Sequence, residues 1–240
     1  KIAYLRFDES EVREYTMMYF RDRLYPEPYK FKYPLAGEKN SEVTLYVYDI
    51  RSNGATKVDT GSETDQYIPR IGWTPEGELY FYRTNRLQNH FELLVADNAG
   101  GSKVVYEEKD KRYIERLDGE TVTFLPKRRI MVKSERSGYM HLYVHDIDKG
   151  AVVDTVTRGN WDVTKLVDVT GDRVYYISAE ESPLRRNLYS VRLNGKSKTR
   201  LTEGEGTYSV AASNGFRYFI SYFSNVSTPL VVSLHNSSGK

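Results

Sequence analysis

Short apolar runs rich in Val, Tyr, Phe, Ile and Leu alternate with turn residues along the whole chain. Gly, Asn, Asp, Ser or Pro bound these runs, which is the pattern of β-strands separated by turns. Helical spacing of apolar residues is almost absent. Only residues 9–23 could form a helix, and their alternating Tyr15, Met17 and Tyr19 fit an extended strand at least as well. The pattern therefore predicts an all-β protein.

The apolar runs recur along the chain at intervals of 42 to 51 residues. Each unit reads as strand, turn, strand, loop, strand, turn, strand, and in the second unit the first strand is predicted over residues 67–73. Four antiparallel strands in about 40 to 50 residues, repeated, are typical of a β-propeller blade. Layered sandwiches also contain many short strands, but they do not repeat one four-strand unit. We therefore predict a β-propeller fragment of about five four-stranded antiparallel blades.

The predicted blade units divide the chain with ragged ends. They cover residues 1–61, 67–109, 112–159, 162–204 and 207–240. The first unit begins at its second strand and the last stops after its third, so we expect both terminal blades to be incomplete. Because a propeller protects its strand edges by closing, the chain is expected to be an arc of a larger propeller. The start, which has neither an initiator Met nor a signal-peptide pattern, also suggests an excised piece.

One insertion, residues 12–34, interrupts the repeat. Two aromatic-rich strands flank a turn that contains Pro26 and Pro28, which predicts a hairpin arm that projects from its blade. The aromatic residues of this arm are Tyr15, Tyr19, Phe20, Tyr25, Tyr29, Phe31 and Tyr33.

Composition excludes several function classes. The 35 basic and 33 acidic residues are mixed along the chain, so nucleic acid is not an expected partner. No apolar run approaches the roughly 18 residues of a transmembrane helix. The absence of cysteine excludes disulfides, zinc–thiolate sites and thiol nucleophiles.

The residues show no catalytic centre. No Gly-x-Ser-x-Gly elbow occurs. His141 and His145 are four residues apart, which on a strand separates them by about 13 Å, too far to share a metal ion. We therefore predict no catalytic residue, no metal site and no cofactor in this chain. By its residues alone, the chain is a propeller-type interaction or gating scaffold.

Several segments nevertheless resemble the N-terminal propeller of the dipeptidyl peptidase IV family, particularly its bacterial members. The most specific match is Tyr29 to Gly37, Tyr-Lys-Phe-Lys-Tyr-Pro-Leu-Ala-Gly, followed by Asn40 and Val43, which is similar to the family stretch (R/K)-Y-P-x-A-G-x-x-N-x-x-V. The stretches that also match are Ile2 to Val12, Ser134 to Tyr143, Gly159 to Val163 and Asn187 to Tyr189. Together they span nearly the whole chain in the family's order.

This resemblance implies a parent serine exopeptidase that removes Xaa-Pro or Xaa-Ala dipeptides from peptide N-termini. Its triad would lie in an α/β-hydrolase domain that we expect to begin near Lys240, and its paired amine-binding glutamates would lie upstream of residue 1. Glu180 and Glu181, in a later blade, are not expected to be that pair. Ungapped alignment back from Ser134 matches Arg116 to an arginine that lines the family's substrate pocket.

The resemblance also implies a periplasmic or exported protein that dimerises through the arm. The propeller would gate the active site and hold short peptides for attack. Two alternatives remain open at this point. One is a stand-alone propeller scaffold for protein–protein binding, and the other is a different member of the prolyl oligopeptidase group, which lacks the arm.

Overall fold

The predicted all-β fold class is confirmed in a computed structural model that describes residues 1–115 and 117–240. Apart from one 3-10 turn at Asn214–Phe216, every regular element among these residues is a β-strand. Neighbouring strands pair antiparallel in successive sheets, and the chain divides into two compact units, Lys1–Ile114 and Glu115–Lys240.

The first unit contains two sheets and a separate hairpin. The three-stranded first sheet has the order β1-β4-β5, with β1 at Ile2–Asp8, β4 at Glu42–Asp49 and β5 at Gly54–Lys57. Between β1 and β4 the hairpin is formed by β2, Glu14–Tyr19, and β3, Glu27–Lys32. The second sheet is built from β6 at Gln66–Tyr67, β7 at Ile71–Trp73, β8 at Leu79–Asn85, β9 at His90–Ala96 and β10 at Ser102–Lys109.

The prediction of one continuous strand over residues 67–73 is wrong. Two short strands, β6 and β7, occupy this stretch and both pair with β8. Pro69 lies between them, and proline has no N–H to donate to a strand ladder. The ladder resumes after this residue, where the Tyr82 amide donates to the Arg70 carbonyl at 2.9 Å.

The second unit contains three sheets whose strands follow one another in chain order. The third sheet consists of β11 at Val122–Leu125, β12 at Arg129–Ser134, β13 at His141–Asp146 and β14 at Ala151–Thr155. The fourth sheet consists of β15 at Val163–Thr170, β16 at Arg173–Ser178, β17 at Asn187–Arg192 and β18 at Thr199–Arg200. The three-stranded fifth sheet consists of β19 at Thr207–Ala212, β20 at Tyr218–Ser224 and β21 at Val231–Asn236.

The core lies between the faces of successive sheets. In β16, Val174 and Tyr176 pack into one cluster with residues of the third sheet, whereas Tyr175 and Ile177 pack into another with Phe219 of the fifth sheet. Because consecutive residues of a strand point to opposite faces, a strand that is covered on both faces carries apolar residues at consecutive positions, as β16 does. In the first unit, an equivalent cluster joins Leu45 of β4 to Leu79, Phe81 and Leu94 of the second sheet. Within each unit, neighbouring sheets therefore stack face to face.

Candidate functional site

The arm hairpin gathers aromatic side chains on one of its two faces. Tyr15 pairs with Phe31 and Met17 pairs with Tyr29 in the antiparallel register. Directly opposed residues of an antiparallel pair project from the same face, and so do alternate residues along a strand. Tyr19 therefore shares this face, and Tyr33 continues it just beyond β3. We call these six side chains the aromatic face of the arm.

The rings of this face contact one another in a continuous series. Tyr19 stacks on Tyr29 with ring centroids 5.0 Å apart, and Tyr29 lies 5.4 Å from Phe31. Phe31 meets Tyr15 edge-on at 6.1 Å and Tyr33 at 5.8 Å. Such offset and edge-on pairs are favourable geometries for aromatic rings. The contacts keep the rings in a defined array.

The aromatic face remains accessible although its residues are apolar. Met17, Tyr15, Tyr29 and Tyr33 are all exposed, and among the described strands β2 and β3 pair only with each other. Of the seven predicted arm residues, the structure brings five together, while Phe20 and Tyr25 lie exposed in the connecting loop. Met17, which was predicted to alternate with Tyr15 and Tyr19 but was not included among the arm residues, completes the face. Met17 lies two residues from both Tyr15 and Tyr19, and this spacing alone would have placed it on their face.

The base of the arm is fixed to the chain by buried and hydrogen-bonded groups. Val12 is buried, and the Lys32 ammonium donates to the Val12 carbonyl at 2.7 Å. The Tyr33 amide donates to the Arg13 carbonyl at 3.0 Å, and the Arg13 guanidinium lies 3.3 Å from the Glu38 carboxylate. An isolated two-stranded hairpin is marginally stable in water, so these contacts hold its start in place.

The predicted substrate-binding residue, Arg116, lies outside the described residues. The chain that leads to it is attached to the β8–β9 loop. The Asp110 amide donates to the Asn89 carbonyl at 3.0 Å, and the Ile114 amide donates to the Gln88 carbonyl at 2.7 Å.

One group of possible metal ligands occurs in the part of the chain that the structure describes: His90, Glu92 and Glu107. His90 Nε2 lies 2.8 Å from Glu107 Oε1. Cations already engage both carboxylates, because Arg83 Nε lies 2.7 Å from Glu92 and Lys109 Nζ lies 2.6 Å from Glu107. The bonds from Lys109 and His90 lower the pKa of Glu107. The group therefore forms an ion-pair network across β8, β9 and β10.

His141 and His145 both lie buried in β13. His141 Nδ1 lies 3.0 Å from the Thr157 hydroxyl and Nε2 lies 2.9 Å from the Gly159 carbonyl. The Trp161 ring packs edge-on against the same imidazole with centroids 4.9 Å apart. His141 thus joins the end of β13 to the segment that leads into the fourth sheet.

Glu180 and Glu181 are held by neighbouring cations and a phenol. Glu180 pairs with the Lys198 ammonium, and Glu181 lies 3.7 Å from the Arg200 guanidinium. The Tyr189 hydroxyl donates to Glu181 at 3.2 Å. Burial and the nearby glutamates raise the pKa of Tyr189. Both carboxylates are therefore engaged within the fourth sheet.

Comparison with known proteins places this architecture in a family. A family model described as "Dipeptidyl peptidase IV (DPP IV) N-terminal region" matches residues 1–230. The chain belongs to this family. The crystal structure of Porphyromonas gingivalis dipeptidyl peptidase 4 is similar over 99% of this chain, with a TM-score of 0.89 and 39% sequence identity. The predicted propeller fold and the resemblance to the dipeptidyl peptidase IV family are thereby confirmed.

Further members are similar along almost the whole chain. A putative dipeptidyl aminopeptidase IV from Bacteroides ovatus matches 99% of it with a TM-score of 0.83 and 25% identity. The probable dipeptidyl-aminopeptidase B of Emericella nidulans is 31% identical over 95% of it. The chain spans 29% of the fungal protein and 34% of the P. gingivalis chain. Within the described residues, no helix is long and apolar enough to cross a bilayer.

Proposed function

We propose that this chain is the non-catalytic propeller portion of a serine exopeptidase that releases Xaa-Pro and Xaa-Ala dipeptides from peptide N-termini. The observation that carries the proposal is the similarity to P. gingivalis dipeptidyl peptidase 4 over 99% of the chain at 39% identity. In this proposal an α/β-hydrolase domain outside these residues supplies the Ser, Asp and His of the reaction. The propeller limits access to that site.

The proposed gating depends on the size of the molecules that can pass the propeller. A propeller placed over an active site excludes folded proteins and lets short or extended peptides reach it, and a bound peptide is then held close to the nucleophile. In this proposal Arg116, in the connection between β10 and β11, lines the substrate pocket.

The proposal also includes dimerisation, which it assigns to the arm. Aromatic residues and Met are enriched at protein interfaces, and large rings supply much contact area for little loss of conformational freedom. The aromatic face presents five rings and Met17 as one array. The proposed occupant of this face is a second copy of the protein.

A pair of adjacent methionines tests the dimer contact. Met17 on the aromatic face and Met18 on the opposite face are 41% and 52% exposed. A charge at the centre of a packed apolar contact must be desolvated without a partner, so we expect Met17→Asp to weaken dimerisation by about tenfold or more. Sedimentation velocity of the intact protein over a concentration series measures the effect.

Met18→Asp is the matched control and should leave the dimer unchanged. Equal dimerisation of the two variants and the unmodified protein would exclude the aromatic face as the main dimer contact.

Peptidase activity is tested separately. The intact protein should release p-nitroaniline from Gly-Pro p-nitroanilide, and the purified 240-residue chain should not, because the triad lies elsewhere. Turnover by the chain alone that a serine-directed inhibitor blocks would contradict the non-catalytic role. An inactive intact protein would favour the stand-alone binding scaffold.

The proposed source is a bacterium and the proposed location is the periplasm or the cell exterior. The source is supported by the 39% identity to the P. gingivalis structure over 99% of the chain. The location fits an enzyme that processes peptides from outside the cell, and fractionation with an antibody against the chain tests it.

A further inference from the structure

A pocket of about 440 Å³ opens between the first and second sheets within the first unit. Its lining comes from the β4–β5 turn, the β7–β8 turn and the β9–β10 turn, together with adjoining strand residues. In an antiparallel sheet these turns lie at one end and the alternate connections lie at the other. The arm connects β1 to β4, so it starts from the opposite end of the first sheet.

The floor and one wall of the pocket are apolar. Val47, Val58, Leu79 and Ala96 form the floor, where the core between the two sheets ends. Trp73, the last residue of β7, is 42% exposed and also lines the pocket. An exposed indole beside an apolar floor can cover the hydrocarbon part of a ligand.

The rim of the pocket is acidic. Among the described residues that line it, Asp49, Glu76, Glu78 and Asp97 are acidic and Lys1 is basic, and the Lys1 ammonium donates to Asn98 Oδ1 at 2.7 Å. The backbone N–H of Arg51 bonds to Asp49 and lowers the pKa of this carboxyl, which is therefore ionised at neutral pH. The rim thus carries an excess of negative charge.

Backbone hydrogen bonds hold the rim carboxylates and the surrounding turns in position. Asp97 Oδ1 accepts from the Ala99 amide at 2.8 Å and the Gly101 amide at 2.9 Å. The β9–β10 turn is itself fixed to the first sheet, because the Asp59 amide donates to the Gly100 carbonyl at 2.7 Å. The pocket is therefore formed before any ligand arrives, which reduces the ordering cost of binding.

We propose that this pocket binds an organic cation carried on an apolar stem, the chemistry of a lysine or arginine side chain in a peptide segment. The stem would lie on the apolar floor while the cation faces the Trp73 indole and the carboxylates of the rim. A bare metal ion fits less well, because it needs several oxygen ligands converging at about 2.0 to 2.6 Å. None of the rim carboxylates belongs to the ligand group found among the described residues.

Isothermal titration calorimetry with the intact protein tests the site. The probes are Nα-acetyl-lysine amide, Nα-acetyl-arginine amide and the neutral analogue Nα-acetyl-norleucine amide, with n-butylammonium as the cation without a peptide backbone. We expect the two cationic amides to bind with dissociation constants of about 0.1 to 5 mM, at least about fivefold more tightly than the norleucine compound. Tighter binding of the amides than of n-butylammonium identifies a peptide segment as the source, and equal binding identifies a free amine.

Two variants separate the parts of the site. Trp73→Leu keeps an apolar wall but removes the ring, and it should weaken binding by about two- to fivefold. Glu76→Gln, in the exposed β7–β8 turn, should weaken it by a similar factor. The control Glu63→Gln makes the same change at the opposite end of the second sheet and should have no effect.

Three results would overturn the proposal. The first is that neither cationic amide gives heat at a concentration 10-fold above the expected dissociation constant. The second is that the norleucine compound binds as tightly as the cationic amides. The third is that the Trp73→Leu variant binds them as tightly as the unmodified protein does. Each result is independent of whether the protein is a peptidase.

Discussion

His145 shows how the position of one residue changes its chemistry. It is 8% exposed, and its burial in β13 lowers the pKa of its imidazole. The positive charge of Arg136 lowers this pKa further, while Asp146 raises it in part. An unfolded histidine titrates near pH 6.5. Between that value and the lower folded pKa, the unfolded chain binds more protons, so stability is present above about pH 6.5 and is lost as the pH falls.

We therefore expect His145→Gln to flatten the decline in stability below pH 6.5. Urea unfolding of the 240-residue chain at pH 7.5 and pH 5.5 measures the difference, which for one proton is at most about 1.4 kcal/mol per pH unit. The control His90→Gln keeps His145 and should retain the decline. An unchanged pH dependence in His145→Gln would show that other groups dominate.

Among the elements, the β9–β10 turn approaches the first sheet closely, beside the apolar cluster that joins the two sheets. Gly100 in the β9–β10 turn has a φ of +93°, and a Cβ at this position would lie 2.4 Å from the Lys57 carbonyl oxygen. Glycine allows both the positive φ and the close approach of two backbones. The same turn contributes Asp97 and Gly100 to the pocket.

Gly100→Ala should destabilise the first unit by about 2 to 4 kcal/mol, since it combines a positive φ with a backbone clash. Gly138→Ala is a close control, because its φ is +94° and a Cβ there meets nothing within 4 Å. It should cost only about 1 to 2 kcal/mol. Chemical denaturation of both variants checks the difference, and equal losses would mean that the turn can shift without cost.

Among the described residues, one face of the fifth sheet carries exposed apolar side chains. Phe219 and Ser221 point to its buried face, against the fourth sheet. Their neighbours Ile220 and Tyr222 lie on the other face, opposite Leu234 and Val232 of β21, and all four are exposed. Contiguous apolar faces of this kind mark interaction surfaces or sites of aggregation.

We expect the 240-residue chain to self-associate through this face at high concentration. Leu234→Lys introduces a charge at its centre and should shift the sedimentation profile towards the monomer. Leu184→Lys provides the control, since Leu184 is 87% exposed and Leu234 is 71% exposed. A profile that both variants leave unchanged would locate the association elsewhere.

Particular residues show how far the sequence could predict the fold and the sites. The alternation of Tyr15, Met17 and Tyr19 fitted a strand at least as well as a helix, because side chains on a strand alternate between faces, and the structure has β2 there. The break between β6 and β7 was missed because apolar pattern alone does not show where a ladder loses a donor, although Pro69 was the available signal. The pocket was not predicted, since Asp49, Trp73 and Asp97 lie far apart in the chain.

The local pattern of apolar and turn residues specifies the strands, their repetition and the side chains that share a face. Which of these faces are covered depends on how the sheets pack. Sheet stacking buries both faces of β16, whereas the aromatic face of the arm remains exposed. It also brings Asp49 of the first sheet near Trp73 and Asp97 of the second. Such contacts depend on packing between elements that are distant in the sequence, which no local pattern records.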